Sequence, residues 1–213
     1  MSTALLQTTY FGPVQWYQKL NRFDQCVIEQ YDSYQKQTYR NRCVIATANG
    51  IQALTVPVEH DANDQKVKDL RISDHNQWRR VHWNALQSAY SESPFFDYYA
   101  DDIRPFFEKK YVFLIDFNEA IRQKMCELLD IQPTVNYTTE YLSGVSHQVS
   151  GISHQPSAIV DYRDVIHAKH PQPDPDFEPK SYWQVFRHKH GFLANLSILD
   201  LLFCMGPESV FYL

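Results

Sequence analysis

Apolar and polar positions follow two periods along this 213-residue chain, and the switches between them predict the order of its elements. "ALLQTTYF" (residues 4–11) reads as a short buried strand, after which Gly12 can turn the chain and Pro13 fits the first position of a helix running to about Leu20. "DQCVIEQY", centred on Val27 and Ile28, reads as a second strand, so the start of the chain predicts a parallel βαβ unit. Asn49-Gly50 lies between the β-branched runs of "RCVIATANGIQALTVPVEH" and specifies a two-residue antiparallel hairpin. "KVKDLRISD" alternates polar residues with Val67, Leu70 and Ile72, which predicts one more edge strand.

Helical spacing dominates the middle of the chain. Asp74 and Gln77 resemble a capping box ahead of Trp78, Val81, Ala85, Leu86 and Ala89. Ser93-Pro94 opens a further helix, and Pro105 interrupts it or begins another. "YVFLIDFNEAIRQKMCELLD" carries Leu114, Phe117, Ile121 and Leu128 on one face and predicts the longest helix. "TVNYTTEYL" reads as a strand, residues 143–179 as a long functional or mobile loop broken by "AIVDYRDVIH", and "NLSILDLLFCMGPE" as a last helix. Ser197 and Asp200 cap that helix as a box, and Gly206-Pro207 stops it. The prediction is one α/β domain over residues 1–213, with a mixed central sheet, a parallel βαβ start, an antiparallel hairpin and a surrounding helical layer. A cleft is expected at the carboxyl end of the first strand.

Composition narrows the function classes. Hydrophobic residues at 44% and charged residues at 21% belong to a folded chain, and the 15% of aromatic residues can build a core or a binding cleft. A net charge of -5 weighs against a nucleic-acid binder. Cys26, Cys43, Cys126 and Cys204 lie far apart among apolar residues, so they read as buried thiols of a reducing compartment and not as a zinc ribbon. No run of 18 apolar residues occurs, so a cytoplasmic protein without a membrane span is expected. The motifs G-x-S-x-G, G-x-x-x-x-G-K and G-x-G-x-x-G are all missing, which weakens hydrolase, NTPase and dinucleotide readings, and no cofactor is expected.

Three clusters carry candidate chemistry. "YQKQTYRNRC" gathers Lys36, Arg40 and Arg42 around Asn41, donors that match a phosphate or carboxylate; the plainer reading is a solvated strand edge paired with Glu29 or Asp32. "YRDVIHAKH" places Tyr162, Arg163, Asp164, His167, Lys169 and His170 together, a general base with cations to hold an anion, or else the charged face of a helix. His188 and His190 in "FRHKHGF" would share one side of a strand, as a metal site requires, with His147, His154, His167 and His170 as further ligands. With no carboxylate or Cys beside them, ordinary surface histidines are the plainer reading of that spacing.

Read together, "QTTYFGPVQWYQKL", "YQKQTYRNRCVI", "ALTVPV", "HWNALQSAYSESPFFDYY", "YRDVIHAKH" and "GFLANLSILDLLFCMGPESVFYL" resemble successive blocks of the WbqC-like protein family. Its members are bacterial proteins, some encoded in O-antigen clusters. The resemblance implies transfer of an aminoacyl or acyl group, glycine being proposed for the family, to an amino sugar of a surface polysaccharide. It points to Gln7, Tyr10 and Trp16, to Lys36, Asn41 and Arg42, to His167 and Lys169, and to Asn195, Ser197 and Asp200. Thr8, Gly12 and Ala168 depart from the family's usual proline, non-glycine and proline.

The expected ligand is a small molecule bearing phosphate, a nucleotide sugar or a lipid-linked sugar. Lys36, Arg40 and Arg42 are expected to hold its phosphate, His167 to act as base, and Lys169 or Asn41 to stabilise an oxyanion. Gln7, Tyr10, Trp16, Tyr162 and Arg163 complete the expected substrate site. Two other readings are a non-catalytic binder of sugar nucleotides or a partner enzyme, and a metal-dependent enzyme using the late histidines. No metal ligand is assigned, and the sequence leaves the oligomeric state open.

Overall fold

The computed structural model describes residues 2–59, 65–143 and 159–213. Strand β1 (Thr3–Gln7), helix α1 (Val14–Arg22) and strand β2 (Gln25–Glu29) form the expected parallel unit, with Leu5 opposite Val27. Strand β3 (Arg42–Thr47) and strand β4 (Gly50–Thr55) form the expected hairpin, with Thr47 opposite Gly50. Helices α2 (Trp78–Tyr90), α3 (Phe96–Ile103), α4 (Pro105–Glu108) and α5 (Leu114–Leu128) follow. Strands β5 (Val135–Tyr137) and β6 (Ile159–Asp161) then join the first sheet, and α6 (Arg187–His190), α7 (Ile198–Met205) and a 3-10 helix over Gly206–Tyr212 follow.

The class is α/β, and the two kinds of pairing are sorted into separate sheets. One is wholly parallel, in the order β5-β2-β1-β6, and the other is the β3-β4 hairpin. Because β6 pairs with β1 through Ala4 and Val160, β1 is flanked on both sides and all five of its residues are buried. That explains its unbroken apolar run. The carboxyl ends of the parallel strands, Gln7, Glu29, Tyr137 and Asp161, fall on one edge of the sheet.

The chain reverses after β1 at Phe11, whose φ of 40° is left-handed, and not at Gly12. Gly12 is needed for space: a Cβ there would stand 2.5 Å from Thr9 Oγ1. Pro13 is the residue before α1. The helix buries Val14, Trp16, Tyr17 and Leu20, and also the polar Gln15, Gln18 and Lys19, so it is enclosed on more than its apolar face. Phe117 of α5 packs against Tyr10, Trp78, Phe106 and Tyr111, joining the helical layer to the turn after β1.

Other expectations change. "KVKDLRISD" is no strand: Val67–Asp69 is a 3-10 turn that puts the fully buried Val67 and Leu70, three residues apart, on one side. Its neighbours touch other segments through isolated bridges such as Val58 to Ile72. Asp74 does not cap α2, since Asn76 and Gln77 are left-handed and its carboxylate pairs with Arg79 and, at 2.8 Å, with Lys110. Ser197 Oγ does cap α7, accepting from Leu199 N at 3.3 Å. Asp200 makes no reciprocal box; it is buried and accepts from Tyr90, Tyr182 and Gln184 at 2.7–2.8 Å.

Candidate functional site

Three of the expected ligand contacts are occupied with holding the turn after β1. Gln7 Nε2 donates to the Ile166 carbonyl at 2.5 Å, and the Gln7 carbonyl accepts from Trp16 Nε1 at 2.9 Å. Tyr10 is fully buried, with its hydroxyl 2.9 Å from His82 Nδ1 and its backbone N–H on the Tyr39 carbonyl. Burial pushes the Tyr10 phenol well above its ordinary value and lowers His82 to about 4, so both stay neutral near pH 7. Gln7 Oε1 alone among these side chains remains a buried acceptor without a hydrogen bond. Its amide, through Ile166, positions the residue that follows, His167.

The basic segment divides. Arg40 is buried against Asp32 in an ion pair, with burial lowering its guanidinium from the ordinary value. Asn41 gives Nδ2 to the Val56 carbonyl at 2.8 Å, and its buried Oδ1 has no hydrogen bond among the described residues. Lys36 is exposed. Arg42 is half-buried at the start of β3, and only its Nε is engaged among the described residues, at 3.1 Å from Thr55 Oγ1. Its terminal nitrogens make no hydrogen bond among the described residues.

The "YRDVIHAKH" segment is a turn that follows β6, not a helix. Tyr162 is buried beneath Lys19, whose Nζ lies 4.6 Å from the ring centre, and its hydroxyl is 3.3 Å from Asp176. Arg163 is clamped by Asp161 at 2.6 Å and reaches Glu29 at 3.5 Å. Lys169 and His170 are exposed and His167 is half-buried. His167 Nδ1 accepts the backbone N–H groups of Lys169 and His170, both at 3.0 Å. Burial, then His170 and Arg40, lower its pKa from the ordinary imidazole value, so the ring is neutral and its proton sits on Nε2.

Arg42 brings the two clusters together. On one side it shares a pocket of ≈ 380 Å³ with Lys36, Asn41, Tyr34 and Thr55. On the other it shares with His167 a pocket of ≈ 420 Å³ lined also by Tyr39, Ala168 and Asn195. Among the described residues no acidic side chain lines this second pocket, which brings the Arg42 guanidinium and the His167 imidazole to one cavity without a carboxylate beside them. Gln7, Tyr10, Trp16, Arg40, Tyr162, Arg163 and Lys169 line neither pocket.

Asn195 is the contributor whose position no local pattern announces. It is left-handed at φ 55°, and it accepts from Gln15 N and donates to Gln15 Oε1, both at 2.9 Å. The wall of the second pocket is thereby pinned to the start of α1. His188 and His190 lie on the single turn of α6, where two residues' separation turns them about 200° apart. His190 Nε2 contacts the Thr47 carbonyl at 3.1 Å. Among the described residues no three His, Cys, Asp or Glu side chains form a group able to hold a metal, and His147 and His154 lie outside those residues.

A sequence model of the WbqC-like protein family matches residues 7–212. Among curated proteins, "Uncharacterized protein Rv1507c" of Mycobacterium tuberculosis is 29% identical over 223 residues, covering 99% of this chain and 96% of that protein. No solved structure matches the chain. Among the described residues, no helix is long and apolar enough to cross a membrane.

Proposed function

Because the chain belongs to the WbqC-like protein family, we propose that it is a transferase of surface-polysaccharide biosynthesis that joins an aminoacyl or acyl group to a phosphate-bearing amino sugar. The observation that carries this reading is the pocket lined by both Arg42 and His167 and, among the described residues, by no acidic side chain. Arg42, with Lys36 at the neighbouring pocket, holds phosphate. His167 presents Nε2–H, a donor suited to the carbonyl oxygen of the acyl donor as negative charge develops there. A base role for His167 would need a ring lone pair, and that of Nδ1 is engaged by two backbone N–H groups. Asn41 offers its unpartnered Oδ1 to a sugar hydroxyl or amine, and Lys169 stands exposed beside His167.

In this reaction the sugar amine attacks the acyl carbonyl, an amide bond forms, and the ester or thioester bond of the donor breaks. The proton lost by the amine leaves with the departing alkoxide or thiolate, so the step balances without a protein base.

A strain lacking the gene, complemented with wild type, Arg42→Ala or His167→Ala, tests the reading through mass analysis of its polysaccharide. Wild type should restore the acyl modification, and the two variants, shown folded by circular dichroism, should not. Full restoration by both variants would refute the assignment. The engagement of Nδ1 favours a second reading, a non-catalytic binder of sugar nucleotides. Saturable thermal stabilisation by sugar nucleotides, with no product from any acyl donor, would select it.

A further inference from the structure

A third pocket lies against α2 and α4 and shares no lining residue with the two that meet at Arg42. It encloses ≈ 360 Å³, near the lower end of the roughly 300–1,000 Å³ typical of small-molecule sites. Two of the chain's four tryptophans, Trp78 and Trp83, form its wall with Phe107. Trp83 is half-buried, stacked on Phe96 at 5.9 Å and 5.7 Å from Phe107, so part of its indole remains open to a ligand.

Arg79, Arg80 and Arg104 surround that wall, against Asp74 and Glu108. Arg79 lies over Trp78 at 4.5 Å and pairs with Asp74, and its buried Nε has no hydrogen bond among the described residues. Arg104 meets Glu108 at 2.7 Å through side chains 58% and 57% exposed, a pair that water screens and a ligand can replace. Arg80 is exposed and has no ion-pair partner among the described residues. At the rim, Asn76 and Gln77 are consecutive left-handed residues, φ 62° and 47°, and Gln77 lines the pocket. Backbone held in this region by residues other than glycine stores strain and gathers at ligand sites.

We propose that this pocket binds a nucleoside monophosphate, with the base against Trp83 and the phosphate between Arg80 and Arg104. A flat ring suits the open indole, and a dianion suits one unpaired guanidinium beside one that is weakly paired. The proposal stands apart from the transferase reading, since no side chain is common to the two sites.

Titration of the whole protein with AMP and with UMP, followed by calorimetry and tryptophan fluorescence, tests it. At least one nucleotide should saturate a single site and change the emission, while adenosine or uridine alone and inorganic phosphate alone should bind at least about tenfold more weakly. The exposed Arg80→Glu change should weaken binding at least about tenfold, and Arg42→Ala should leave it unchanged. The proposal falls if neither nucleotide saturates, if the nucleoside or phosphate alone binds as tightly, if Arg80→Glu has no effect, or if Arg42→Ala abolishes binding.

Discussion

Lys19 Nζ and Asp174 Oδ2 form an ion pair at 2.8 Å, with side chains only 1% and 3% exposed. Asp174 Oδ2 also accepts from Gln15 Nε2 at 2.8 Å, and Gln18 Nε2 donates to the Asp176 carbonyl at 3.0 Å. The segment that follows His167 is therefore fastened to the polar face of α1. This accounts for the burial of Gln15, Gln18 and Lys19 on that face of the helix.

Removing one partner of that pair leaves a charge buried without compensation. Asp174→Ala is expected to lower unfolding stability by about 3–5 kcal/mol in urea titrations. The double change Lys19→Met with Asp174→Leu should recover most of the loss, because two apolar side chains replace the pair. Equal losses in the single and double variants would show that the ion pair is not what holds the segment.

His82 sets an acid limit on stability. Burial lowers its pKa from 6.5 to about 4, so between these values the unfolded chain binds a proton that the folded chain refuses. Stability is then fully present above pH 6.5 and falls as the pH drops towards 4, by up to about 3 kcal/mol from this residue. His82→Gln should remove that part of the decline, seen as a smaller difference between unfolding midpoints at pH 7 and pH 4.5. An unchanged difference would place the imidazole in water.

Gly12→Ala should cost about 1–3 kcal/mol, because its Cβ would approach Thr9 Oγ1 to 2.5 Å and Thr9 Cβ to 2.9 Å. Thermal or urea unfolding reads the loss directly. Since the same turn aligns Gln7 with Ile166, the Arg42–His167 pocket should also lose ligand affinity. An alanine variant as stable as wild type would show that Thr9 can move aside.

The elements legible in the sequence were those encoded over short spans. Asn49-Gly50 defines its hairpin within a few residues, and Leu114, Phe117 and Ile121 mark the buried face of α5. "FRHKHGF" was misleading because so short a stretch has the same pattern in a strand as in one turn of helix. Arg42 and His167 were recognisable by residue type, but their meeting depends on β3 lying beside the turn after β6. Gln7, Tyr10 and Trp16 drew notice as polar and aromatic groups at a turn, and burial shows them holding it. Contacts such as Gln15 with Asn195, 180 positions apart, leave no local pattern.

That last contact belongs to a seam between residues 11–15 and 195–198. Val14 N reaches the Leu196 carbonyl, Ile198 N reaches the Gly12 carbonyl, and Ser197 Oγ donates to the Phe11 carbonyl, at 2.8–3.0 Å. At the usual pace of translation, some 5–20 residues per second, the first turn waits roughly ten to forty seconds for these partners to emerge. On a ribosome-bound chain the Arg42–His167 pocket therefore lacks its Asn195 wall until that residue, 180 positions after Gln15, has been made.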